Sequence, residues 1–126
     1  MARITGVDHV QITVPTGAVQ QARTFYCGLL GLLEIPKPES LRERGGFWLQ
    51  VGDRQLHVGV EDGVDRQGTK AHVAYAVHDL AGWRARLTTA GVRPIDGAPI
   101  PGCERCEFRD PFGNRVELIE QPEPDA

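Results

Sequence analysis

The stretch Val7-Asp-His-Val-Gln-Ile-Thr-Val14 alternates apolar and polar residues, and Ala71-His-Val-Ala-Tyr-Ala-Val77 repeats the pattern past mid-chain. Side chains on a strand point to two faces in turn. Val10, Ile12 and Val14 therefore share one face, and His9, Gln11 and Thr13 share the other. In the second stretch Val73, Tyr75 and Val77 take the apolar face, with His72, Ala74 and Ala76 opposite. A shift of 63 residues lays His9 on His72, Val14 on Val77 and Gly28 on Gly91.

The segment after each strand repeats as well. From Ala18 the apolar period becomes helical, through Val19, Ala22, Tyr26 and Leu29/Leu30. Thr16 is a candidate N-cap, and Gly28 and Gly31 mark the helix end. In the second half Asp79 caps a helix with the stripe Leu80, Trp83, Leu87 and Ala90, closed by Gly91. After the first helix come a short strand at 33–35, a loop or single turn at 41–44, and a hairpin of 46–51 and 55–61. After the second come a short edge strand at 92–95 and a hairpin of 103–109 and 114–120 around Asp110-Pro-Phe-Gly113. The order is strand, helix, three strands, twice. The expected fold class is α+β, with two βαβββ modules in tandem. Module 1 covers 4–61, module 2 covers 71–120, and the polar stretch 62–70 links them. Together they make one domain over 1–126, with a flexible tail at 121–126. Neither module is large enough to fold well alone.

Composition narrows the function. The chain has 126 residues, 40% hydrophobic and 25% charged, with a net charge of −3. Such a balance lacks the basic footprint of a nucleic-acid binder, and no apolar run is long enough to span a bilayer. No signal peptide is evident, so a cytoplasmic location is expected. Cys27, Cys103 and Cys106 are odd in number, and the Cys103-Glu-Arg-Cys106 spacing lacks the second pair of a zinc ribbon. They read as ordinary thiols.

Four histidines remain, and their placement carries the chemistry. His9 and His72 lie on the polar faces of the two opening strands. His57 and Glu117 have the same parity in the last strand of each module. His78 lies just past a strand end and is given no role. Three imidazoles and a carboxylate suit Ni, Zn, Mn, Co or Fe. With a divalent ion that set carries net charge +1, which favours an anionic oxygen on the substrate. Glu61 shares the face of His57 and is a candidate acid/base. Trp48 and Gln50 oppose Leu49 and Val51, so they join Gln11 and Thr13 as candidate substrate contacts. Arg115 neighbours Glu117 and is a candidate for holding a substrate anion.

The chain resembles the vicinal oxygen chelate superfamily of glyoxalases, bleomycin-resistance proteins and extradiol dioxygenases. The resemblance is carried by residues 8–14, by Phe25-Tyr-Cys-Gly-Leu-Leu-Gly-Leu32, by residues 71–77, and by Asp110-Pro-Phe-Gly-Asn-Arg-Val-Glu-Leu118. It implies paired βαβββ modules whose curved mixed sheets enclose a metal cleft. The family's metal positions fall on His9, His57, His72 and Glu117. Glutathione-using relatives carry Glu where this chain has His57, and Arg and Asn where it has Thr13 and Glu61. Fosfomycin-resistance relatives carry Thr where it has Gln11. The resemblance implies a metal-dependent lyase or isomerase in which Glu117 also serves catalysis, acting on a small molecule. It leaves two alternatives: an Fe(II) extradiol-type dioxygenase, or a drug- or metabolite-binding protein without chemistry. Relatives this short usually pair as homodimers, so a homodimer is expected.

Overall fold

The computed structural model describes residues 1–122. They form two compact units, with the boundary between Val64 and Asp65. That boundary falls inside the expected 62–70 linker. Of the tail expected to be flexible, 123–126 lie outside the described residues.

The first unit runs β1 (His9–Val14), α1 (Val19–Arg23), a π-helical turn (Thr24–Leu29), β2 (Leu33–Ile35), a 3-10 segment (Glu39–Arg44), β3 (Phe47–Val51) and β4 (Arg54–Val60). Its four-stranded sheet has the order β1-β4-β3-β2, with β1 parallel to β4 and the other pairs antiparallel. The second unit runs β5 (His72–Val77), α2 (Leu80–Thr89), β6 (Arg105–Arg109) and β7 (Arg115–Glu120). Its sheet has the order β5-β7-β6, with β5 parallel to β7. Both sheets are mixed, and the fold is the expected α+β class.

The repeat extends to register. In the first unit His57 stands opposite Gln11, two residues after His9. In the second Glu117 stands opposite Ala74, two residues after His72. Each last strand thus puts its candidate donor diagonal to the histidine that opens the parallel neighbour. Such diagonal neighbours share a face.

The aliphatic faces make the cores. Val14, Ala22, Tyr26, Phe47, Leu49, Leu56 and Val58 are buried in the first unit, and Leu80, Leu87, Phe108, Val116 and Leu118 in the second. Burying one such side chain stabilises by about 1.5–3 kcal/mol. Val10 departs from its predicted core face and stays 40% exposed at the open start of β1.

Three local expectations are corrected. The first helix is α-helical for a single turn and then widens. Leu30 N–H reaches Phe25 O at 3.0 Å, and Leu32 N–H reaches Tyr26 O at 3.0 Å. The widened turn buries the adjacent rings of Phe25 and Tyr26 together. Thr16 does not cap that helix. Its backbone N–H and hydroxyl both donate to the Asp62 carboxylate, at 2.9 and 2.5 Å. The expected strand at 92–95 is one bridge, with Ile95 and Glu107 exchanging two 2.8 Å hydrogen bonds. Pro94 has no N–H with which to extend it.

The final hairpin turn is well specified. Asp110 is 4% exposed. Its carboxylate accepts from the Phe112 and Asn114 backbone N–H groups at 2.9 and 2.8 Å, and from Asn114 Nδ2 at 2.9 Å. This turn puts Glu107 directly opposite Glu117.

Candidate functional site

On the polar face of the first sheet, His57 lies between two rings. Trp48, its cross-strand partner, stacks on it at 3.8 Å between centroids and 3° between planes. His9 stacks on it at 4.1 Å and 17°. His57 is 6% exposed, and this burial pushes its imidazole below the ordinary histidine value. The neutral ring keeps a lone pair for a cation. His57 Nε2 donates to Gln55 Oε1 at 3.0 Å, which leaves Nδ1 as the acceptor nitrogen. His9 Nδ1 donates to Asp8 Oδ1 at 2.9 Å, which leaves Nε2. That hydrogen bond holds the Asp8 carboxyl below its usual range. A carboxylate behind an imidazole is the usual way to orient a metal-ligating histidine.

These side chains line a cavity of about 500 Å³, walled also by Gln11, Lys37, Arg44 and Gly59. Gln11 packs closely over Gly59. A Cβ at that position would stand 2.7 Å from Gln11 Nε2.

The second sheet carries a denser polar cluster. His72 Nδ1 is 2.9 Å from the Lys70 carbonyl oxygen, so Nδ1 carries the proton and donates it. His72 Nε2 then faces Glu117 Oε1 at 3.0 Å. A lone pair and a carboxylate oxygen this close need a cation between them, either a proton or a metal ion. Glu117 Oε1 also lies 3.3 Å from Arg105 Nη1. Glu107 Oε1 accepts from Arg105 Nη1 at 3.0 Å and from Arg115 Nη2 at 2.5 Å. Arg115, supported by Arg105, holds the Glu107 carboxyl below its usual range against the opposing effect of burial. The Nε atoms of both guanidinium groups are buried and find no acceptor among the described residues.

The predicted residues thus divide. His9, His57, Gln11 and Trp48 come together in the first unit, and His72, Glu117 and Arg115 in the second. Thr13 and Glu61 do not line the cavity. Gln50 is committed to the β3–β4 turn, donating to the carbonyls of Gly52 and Arg54 at 2.8 and 3.1 Å. Arg115 is committed to Glu107. Sequence reading missed Asp8, Gln55, Lys37, Arg44, Arg105 and Glu107. Gln55 and Glu107 carried a usable signal, because each shares strand parity or a hairpin rung with a candidate donor.

The donors fit a divalent ion in part. His72 Nε2 and Glu117 Oε1 contact each other at 3.0 Å, and both are atoms of the types that ligate a divalent ion. Among the described residues no three His, Cys, Asp or Glu side chains form one metal-holding group. The donors stand as one pair in each unit. The cysteines are free thiols, and burial pushes the Cys106 thiol up, away from thiolate chemistry. No described helix is long and apolar enough to cross a membrane.

Two units, each with a strand parallel to its last strand and with imidazole or carboxylate side chains on the polar face, define a class of mixed-sheet α+β protein. The chain belongs to the Glyoxalase/Bleomycin resistance protein/Dioxygenase superfamily, whose model matches residues 6–118. A crystal structure of a protein from Bacillus anthracis, described as of the glyoxalase family, is 38% identical. It superposes with a TM-score of 0.89 over 97% of this chain and 99% of that one. MhqO of Bacillus subtilis strain 168, described as a ring-cleaving dioxygenase, is 29% identical over the whole of this chain. The chain spans 44% of that curated relative's length. The fosfomycin resistance protein FosX of Listeria monocytogenes, complexed with Mn(II) and sulfate, shares the fold. It has a TM-score of 0.77 at 15% identity, over 95% of this chain and 93% of that one.

Proposed function

We propose that the chain is a divalent-metal-dependent enzyme of the lyase or isomerase type, acting on a small molecule with two neighbouring oxygens. His9, His57, His72 and Glu117 form its ligand set, drawn from one chain or from the two chains of a homodimer. The observation that carries the reading is His72 Nε2 facing Glu117 Oε1 at 3.0 Å while Nδ1 is spent on the Lys70 carbonyl. A bound divalent ion supplies Lewis acidity toward a substrate oxygen. Asp8 and the Lys70 carbonyl hold the two opening histidines in the tautomer that leaves Nε2 free. Trp48 holds the His57 ring flat. Arg105, itself held by Glu107, lies beside the Glu117 carboxylate.

A second reading has one specific support, the likeness to a protein described as a ring-cleaving dioxygenase. Two histidines and one carboxylate are the ligand set of non-haem Fe(II) oxygenases. His9, His72 and Glu117 supply that set.

The test is elemental analysis of untagged protein, followed by a substrate panel. The expected result is one stoichiometric divalent ion after reconstitution, lost in His72→Ala and in Glu117→Gln. Turnover of hemithioacetals, epoxides with thiols or epimerisable thioesters supports the first reading. Turnover restricted to catechols with Fe(II) supports the second. A parent protein that holds no stoichiometric metal after reconstitution refutes both.

A further inference from the structure

The segment between β2 and β3 does more than connect them. It leaves β2 at Pro36, makes the 3-10 turn Glu39–Arg44, and returns through Gly45 and Gly46. Lys37 Nζ donates to the Gly45 carbonyl at 2.5 Å, tying the two ends of the segment together. Gly46, at φ 79°, sets the return against β4, where a Cβ would collide with the Val58 carbonyl oxygen. The result is a strap that walls the cavity holding His9, His57 and Trp48.

The strap brings charge with it. Lys37 and Arg44 both line the cavity. The Arg44 side chain is exposed and makes no hydrogen bond or ion pair among the described residues, so its five guanidinium donors face solvent at the cavity rim. Lys37 spends one of three donors on Gly45, and its charge reaches His57. Among the described residues the only carboxylate lining the cavity is Asp8, which already accepts from His9. This cavity is therefore locally cationic in a chain of net charge −3. Arg115, the sequence candidate for holding a substrate anion, is meanwhile neutralised by Glu107.

We propose that Lys37 and Arg44 form an oxyanion subsite, so that the ligand of this cavity is a small molecule bearing a carboxylate, phosphonate or similar group. The proposal deepens the reading of the cavity as a substrate site and rests on it. Arg44 supplies a planar fork matched to two oxygens, and Lys37 a point charge beside it. Trp48 gives the rest of the ligand an aromatic wall, and the donors of His9 and His57 stand beyond it.

The test uses the full chain without metal and follows the Trp48 indole N–H by NMR, assigned with Trp48→Phe. The probes are benzoate and its neutral isostere benzamide. Benzoate is expected to shift the Trp48 signal saturably and to bind about tenfold more tightly than benzamide, the worth of one charge-assisted contact. Arg44→Gln and Lys37→Gln are each expected to weaken benzoate severalfold and leave benzamide unchanged, with amide shifts outside the strap unaltered. Equal binding of the two probes, no effect of either variant, or no shift of Trp48 would each overturn the proposal. Mn(II) uptake is measured on the same samples. Loss of metal binding with the benzoate preference intact refutes the metal reading and leaves the subsite standing, and the reverse result refutes the subsite alone.

Discussion

His57 and Glu107 show how individual side chains are tuned by what they touch. Burial holds the His57 imidazole below its ordinary value of 6.5. The unfolded chain therefore takes up this proton first as pH falls. Stability from this group is full above about pH 6.5 and declines below it, until His57 itself protonates in the folded state. His57→Gln is expected to flatten that limb in urea unfolding run from pH 8 to pH 5. An unchanged pH slope would contradict the burial account. Glu107 is the opposite case. Its carboxyl is held below its ordinary value by Arg115 and Arg105, so its contribution is present above pH 4.5 and lost as pH falls through the folded value. Glu107→Gln at pH 7 leaves Arg115 without its acidic partner and is expected to cost about 3 kcal/mol. Equilibrium denaturation measures this, and a loss below about 0.5 kcal/mol, typical of an exposed pair, would refute it.

At the scale of elements, the period-two strands could be read from sequence and the connections could not. The alternation in residues 7–14 and 71–77 put His9 and His72 on the polar face because strand parity is a local property. The register that sets His57 beside Gln11, and Glu117 beside Ala74, comes from the same parity once β1 and β4, and β5 and β7, run parallel. The π-helical turn was hidden because Val19, Ala22 and Tyr26 satisfy a helical period whether or not the last turn widens. The strap was hidden because residues 36–46 have no period at all. Its position depends on Lys37 reaching Gly45 and on the contact of Gly46 with β4. That contact predicts an asymmetry between glycines. Gly52 has φ 57° with nothing within 4 Å of where a Cβ would stand, so Gly52→Ala should cost about 1 kcal/mol of backbone strain. Gly46→Ala adds a collision with the Val58 carbonyl and should cost at least about 3 kcal/mol or prevent folding. Thermal denaturation of the two variants distinguishes these outcomes, and equal losses would show that the strap is not seated on β4.

For the molecule as a whole, the repeat gives each unit one pair of the proposed donors. The first unit contributes imidazoles beside a cationic strap, and the second contributes an imidazole and a carboxylate that lies beside the Arg105 guanidinium. The proposed four-donor centre needs both. Mixing His9→Ala and His72→Ala proteins and allowing subunits to exchange separates the two ways of closing it. Closure across a homodimer predicts one restored centre in each mixed dimer. Closure within a chain predicts none. The central claim is most directly tested by titrating Co(II) into the untagged parent and its four single variants, His9→Ala, His57→Ala, His72→Ala and Glu117→Gln, with absorption as the readout. The account predicts one saturable site per chain in the parent and an affinity loss of about tenfold or more in every variant. A parent without saturable binding, or variants that bind as the parent does, would contradict it.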